Sequence, residues 1–89
     1  RICEAIRNRQ RMQFKYHGIS RIVEPQCYGI TAANKEHVRC HMIEGGSREE
    51  QLFDVTKITN LELLNENFTK PGPNYKKNDS VFEFIFCQL

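Results

Sequence analysis

With 89 residues, 39% of them hydrophobic and 27% charged, the chain has room for one domain with one modest core, and its composition is that of a soluble globular protein rather than a disordered tail. No apolar run approaches the ~18 residues of a membrane-spanning helix, and nothing in it reads as a signal peptide. The net charge of +2 conceals a split: residues 1–21 carry six basic side chains against one acid, and residues 44–66 carry six acids against two bases. A basic region of this kind suits a phosphate-facing surface, although two solvated faces with no partner fit the charge pattern equally well.

Ile2, Ala5 and Ile6 recur at helical spacing with Arg7, Arg9 and Gln10 on the wet side, so residues 1 to about 9 read as an amphipathic helix, expected to begin upstream of residue 1. The period then changes to two. Met12, Phe14 and Tyr16 alternate with Gln13 and Lys15, the pattern of a half-buried strand, and His17-Gly18 supplies a tight turn because glycine accepts a positive φ. A second strand runs from about Ile19 to Glu24. Pro25, without an amide donor, should end its pairing or sit at an edge or bulge, and extended structure resumes over Tyr28 to Thr31.

Ala33-Asn34-Lys35 is the next turn. From Glu36 to Ile43 the alternation is clean, with Val38, Cys40 and Met42 on a core side and His37, Arg39 and His41 on a wet side. Glu44-Gly45-Gly46-Ser47 marks a turn, Gln51 to Phe53 a short strand, and Asp54 caps a helical turn over Val55 to Lys57. A strand through Ile58, Leu61, Leu63 and Leu64 follows. Residues 65–80 form a polar loop in which Phe68 and Tyr75 should anchor an irregular crossing. The last run, Val81 to Leu89, is apolar on both faces and is expected inside the sheet or covered by the helix or a second subunit, with Phe82, Phe84 and Phe86 in the core. About six short strands and one small helix make the chain a single mainly β domain over residues 1–89, a small SH3-like or Sm-like barrel of five to six antiparallel strands.

Cys3, Cys27, Cys40 and Cys87 are scattered, without a Cys-x-x-Cys pair or zinc-finger spacing to a histidine. Two disulfides are possible by arithmetic, but apolar neighbours favour buried free thiols and a cytoplasmic setting. His37 and His41 lie four apart in a strand, about 13 Å at ~3.3 Å per residue, too far to share a metal ion. Cys40 and His41 point to opposite faces, so no nucleophile has a base beside it. The chain reads as a non-enzyme with no cofactor and no metal.

The order Ala5-Ile6, Met12 to Tyr16, Arg21-Ile22-Val23-Glu24-Pro25, Tyr28-Gly29, Val38 to Met42 and Phe53 to Ile58 resembles the WYL domain family over about residues 2–64, and the Phe68…Pro73…Tyr75 tail is similar to that of short WYL-type proteins. The resemblance implies an SH3-like or Sm-like barrel acting as a ligand-sensing or nucleic-acid-binding module, often placed after a helix-turn-helix in bacterial transcription regulators and associated with phage defence and DNA-damage responses. The Trp-Tyr-Leu signature itself is replaced by about His37-Val38-Arg39. The family's basic segment becomes Phe53-Asp54-Val55-Thr56-Lys57-Ile58, which keeps one cation at Lys57.

The candidate site is a basic and aromatic surface of Arg21, Tyr28, Arg39, His41 and Lys57, extended by Arg9 and Arg11. Guanidinium forks match phosphate oxygens and aromatic rings stack on bases, which suits single-stranded nucleic acid or a nucleotide-like ligand. The plainer reading pairs these arginines with carboxylates such as Glu24 or Glu36. A competing role is protein interaction, a homodimer formed through Phe82, Phe84 and Phe86 if these rings are exposed.

Overall fold

The computed structural model describes residues 1–89. Its elements are helix α1 (Ile2–Asn8), strands β1 (Gln10–Tyr16), β2 (Ile19–Thr31), β3 (Glu36–Glu44) and β4 (Glu50–Asp54), a 3-10 turn (Val55–Lys57), and strands β5 (Thr59–Asn67) and β6 (Phe82–Gln88). The architecture is mainly β with one small helix. All ladders are antiparallel, the pairing path is β4-β3-β2-β1-β5 with β6 attached to β2, and no ladder joins β4 to β5, so the sheet is open along that path.

Local sequence accounts for the joints. His17 and Gly18 both have positive φ, 52° and 75°, the conformation that matches a two-residue hairpin to the right-handed twist of its strands. Asp54 accepts from the Thr56 amide at 3.0 Å and the Thr56 hydroxyl at 2.7 Å, capping the 3-10 turn as its sequence predicts. Arg9 takes a left-handed conformation where α1 hands over to β1.

β2 is the spine. Its first half pairs β1, its second half pairs β6 on the same side, and β3 runs along its other side. Pro25 does not end the strand. It sits beside a bulge between Pro25 and Cys27 where Gln26 is the extra residue opposite β3, which removes the need for a proline donor in the ladder. The bulge also reverses the alternation. Before it Val23 lies opposite Met42 and Pro25 opposite Cys40; after it Tyr28 lies opposite Val38 and Cys27 opposite Arg39.

The inner face of the sheet holds the core: Met12, Phe14 and Tyr16 from β1, Val23 from β2, Val38, Cys40 and Met42 from β3, Phe53 from β4, and Ile2, Ala5 and Ile6 from α1. Phe14 and Tyr16 each meet Phe53 edge-to-face, with ring centroids 4.9 and 4.8 Å apart. Each of these rings stabilises the fold by roughly 1.5–3 kcal/mol through burial, with a smaller increment from the edge-to-face geometry.

Two expectations are corrected. Cys3 and Cys87 form a disulfide that ties α1 to β6, whereas Cys27 and Cys40 are buried free thiols; positions 84 apart in the chain are neighbours only once the fold brings helix and last strand together. The phenylalanine comb is not all core. Phe82 is buried, but Phe84 and Phe86 are 59% and 40% exposed, because β6 pairs β2 alone and register shifts at both ends of that pairing break a strict two-residue alternation. No helix is long and apolar enough to cross a membrane.

Candidate functional site

The five residues of the expected surface do not share one face. Arg21 lies opposite Phe14 on the inner face and is 7% exposed. Its guanidinium stands over the Tyr16 and Phe53 rings, 5.8 and 5.9 Å from their centroids, and donates to the Tyr16 carbonyl at 3.4 Å, while its Nε has no partner. The two-residue spacing from Val23 and the pairing with core Phe14 put it there. Tyr28 is also on the inner face, turned by the bulge. Its hydroxyl donates to Glu36, its ring lies 5.0 Å from Phe86, and burial followed by the Glu36 carboxylate pushes its pKa up to about 12. Lys57 is exposed on the 3-10 turn, at another place in the fold.

Arg39 and His41 do share the outer face, with Glu24, Cys27 and Glu50 beside them. This face is covered by residues 69–80, which run from buried Phe68 at the end of β5 to buried Phe82 at the start of β6. The covering segment is held by polar contacts. The Gly72 amide donates to Gln26 Oε1 at 2.8 Å, Asn74 Nδ2 to Glu49 at 3.2 Å, and Tyr75 Oη to the Leu89 carbonyl at 2.6 Å. Asn78 and Gln88 exchange two hydrogen bonds of 2.9 Å. Gly72 sits flush on the His41 ring: a Cβ there would lie 2.8 Å from ring atoms, so only glycine lets the chain pass this close.

Behind residues 73–80 lies a polar cleft of about 630 Å3. Its floor is Gln26, Cys27, Arg39 and Glu50; Lys76, Lys77 and Asp79 belong to its cover. Arg39 Nε donates to Asp79 Oδ2 at 2.9 Å and Nη2 to Oδ1 at 3.4 Å, a two-point grip, with Glu50 Oε1 at 3.8 Å. Burial opposes ionisation of Asp79, yet the hydrogen bonds from Arg39 and the Val81 amide, with the charges of Arg39 and Lys76, outweigh it and hold the carboxyl below its ordinary range. Burial pushes the Cys27 thiol up to about 11, with Asp79 adding to it and Arg39 opposing, so it is no thiolate nucleophile near neutral pH.

Arg11, also expected to contact a ligand, pairs with Glu24 at 3.0 Å and Glu66 at 3.4 Å. Arg9 is exposed and donates to the Thr69 carbonyl at 2.7 Å, fastening the start of the covering segment. No group of three or more His, Cys, Asp or Glu side chains is placed to hold a metal ion. Sequence reasoning missed Asp79, Glu50 and Gln26. One signal was legible: Asp79 is the sole acid between residues 67 and 82, among Lys70, Lys76 and Lys77. Comparison of the chain with protein-family models, curated proteins and solved structures finds no match.

Proposed function

We propose that the chain is a regulatory or accessory sensing module for a nucleotide-like ligand or a single-stranded nucleic acid, with the cleft behind residues 73–80 as its site and Arg39 as its anion contact. The observation that carries this reading is Arg39: a guanidinium fork on the floor of a polar cleft, gripping a carboxylate in the two-point geometry that also fits a phosphoryl group. Lys76 and Lys77 add cations and Tyr75 an aromatic ring around the same space. The motif order that resembles the WYL family supports a sensing role, and with it a place in bacterial transcription regulation. The raised thiols of Cys27 and Cys40 argue against either as a thiolate nucleophile near neutral pH, in keeping with a binding module. A cytoplasmic location belongs to the same reading and is supported by those two free thiols, while the Cys3–Cys87 bridge favours an oxidising compartment.

The test is direct. In low salt, nucleotides and short single-stranded oligonucleotides should bind, binding should weaken steeply as salt rises, and Arg39→Ala should reduce it several-fold. Absence of binding by the wild-type protein defeats the proposal.

A second reading has its own observation. Phe84 and Phe86 form an exposed edge-to-face pair, 5.4 Å between centroids, on a strand paired on one side only. A second copy of the chain, docking β6 against β6, would cover these rings and the open strand edge together. The protein should then sediment as a dimer and Phe84→Glu as a folded monomer; a monomeric wild type at high concentration removes this reading.

A further inference from the structure

The contacts around Arg39 also bear on how its cleft is regulated. Residues 69–80 contain no buried side chain, whereas Phe68 and Phe82 at the two ends are buried. The segment is therefore a strap pinned at its ends by apolar burial and held along its length by exchangeable polar contacts, the kind of element that opens at low free energy while the rest stays folded. Its one acid, Asp79, occupies the Arg39 fork, and Glu50 approaches from the floor at 3.8 Å. Any incoming anion meets an arginine that already has a carboxylate.

Resting on the reading of the cleft as an anion site, we infer that Asp79 is an internal substitute for the ligand's phosphoryl group, displaced from Arg39 when the ligand enters, so that binding and the loss of the Arg39–Asp79 tie are one event. A carboxylate and a phosphoryl group present similar pairs of oxygens to a guanidinium, but the phosphoryl group carries more charge and a third acceptor oxygen. That oxygen is within the province of Lys76 and Lys77, which line the same cleft from the strap. The exchange leaves no buried charge uncompensated: Arg39 trades one anion for another, and Asp79, on an otherwise exposed stretch, passes to water. The bound state thus differs from the free one by the loss of the Asp79 tie, while Lys76 and Lys77 keep the strap at the cleft, a change that a partner reading this surface can detect.

Two consequences separate this device from a plain binding site. Asp79→Asn keeps the shape of the side chain but removes the competing charge, so its affinity for adenosine 5′-monophosphate should rise about tenfold over wild type, the scale of one charge-assisted hydrogen bond. In the wild-type protein, the ligand should shift the backbone amide resonances of Asn78, Asp79 and Ser80 toward positions already seen in unliganded Asp79→Asn.

The experiment measures, by titration calorimetry and amide NMR in low salt, the binding of adenosine 5′-monophosphate, inorganic phosphate and a 5′-phosphorylated hexathymidylate to wild type, Asp79→Asn, Arg39→Ala and the exposed-site variant Lys76→Ala/Lys77→Ala. Tighter binding to Asp79→Asn than to a wild type that itself binds supports the inference; binding by that variant alone overturns it, since in the wild type the ligand would then displace nothing. Which probe gains most identifies the source of the phosphoryl group. Equal or weaker binding to Asp79→Asn, with Arg39→Ala still defective, overturns the displacement while leaving the cleft as the site. If no probe binds any variant, the anion-site reading fails and the inference falls with it. The amide spectrum reports folding of each variant, and the double lysine variant, altered only at exposed positions, should lose affinity several-fold with its fold intact.

Discussion

The two faces of this sheet handle charge in opposite ways. The inner face is packed with aliphatic and aromatic side chains and still buries one arginine, Arg21, which no acid accompanies and which rests on two aromatic rings. The outer face is polar, and its arginines Arg11 and Arg39 each hold two carboxylates. The difference teaches that a basic sequence segment is not yet a basic surface. Stability resides in the inner face, whose contacts are apolar and numerous. The outer face is organised by polar, partly exposed ion pairs, each of which stabilises the fold less than a buried ring does.

If that contrast is right, the largest effect on stability should come from the inner face. Phe53→Ala removes the ring that Phe14, Tyr16 and the Arg21 guanidinium all meet, and chemical denaturation should record a loss of about 3–5 kcal/mol. A loss as small as that of an outer-face variant would erase the distinction between the faces. Cys3→Ser comes next, since it opens the link between α1 and β6; the loss should be about 2–4 kcal/mol, and reducing agent should lower the melting temperature of the wild type but not of the variant. Insensitivity of the wild type to reductant would mean that helix and strand are held by packing alone.

The smallest effect belongs to the outer face. The Asp79 carboxyl has its pKa depressed in the folded state, so its contribution is present above the unfolded-state value of about 3.9 and is lost as pH falls through the lower folded value. Thermal melts should show wild type more stable than Asp79→Asn at about pH 7 by a few tenths to about 1 kcal/mol, with the gap closing on acidification. A gap that widened in acid would contradict the pairing with Arg39.

Much of the fold was legible in the residues. The period change at Met12, the His17-Gly18 turn, the clean alternation of Glu36 to Ile43 and the Asp54 cap are local signals with local causes, and each element lies where it is expected. Phe68 and Tyr75 were readable as anchors because isolated aromatics in a polar loop have few other uses. Less of the site was legible. A strand pattern assigns side chains to two faces but does not say which face another segment will cover, and a single bulged residue, Gln26, exchanged the faces of everything after it in β2, taking Tyr28 inward and Cys27 outward.

By itself, then, the sequence determined a mainly β fold with one short helix before the first strand, since turn chemistry and a two-residue period act between neighbours in the chain. Tertiary structure alone decided that Cys3 meets Cys87, that Arg21 is buried, that Phe84 and Phe86 are left outside, and that Asp79 reaches Arg39 across 40 residues. Those outcomes depend on how β2 is shared among three partner strands and on where the final crossing comes to lie. Pairings between distant residues are products of the whole packed arrangement, and no local pattern encodes them.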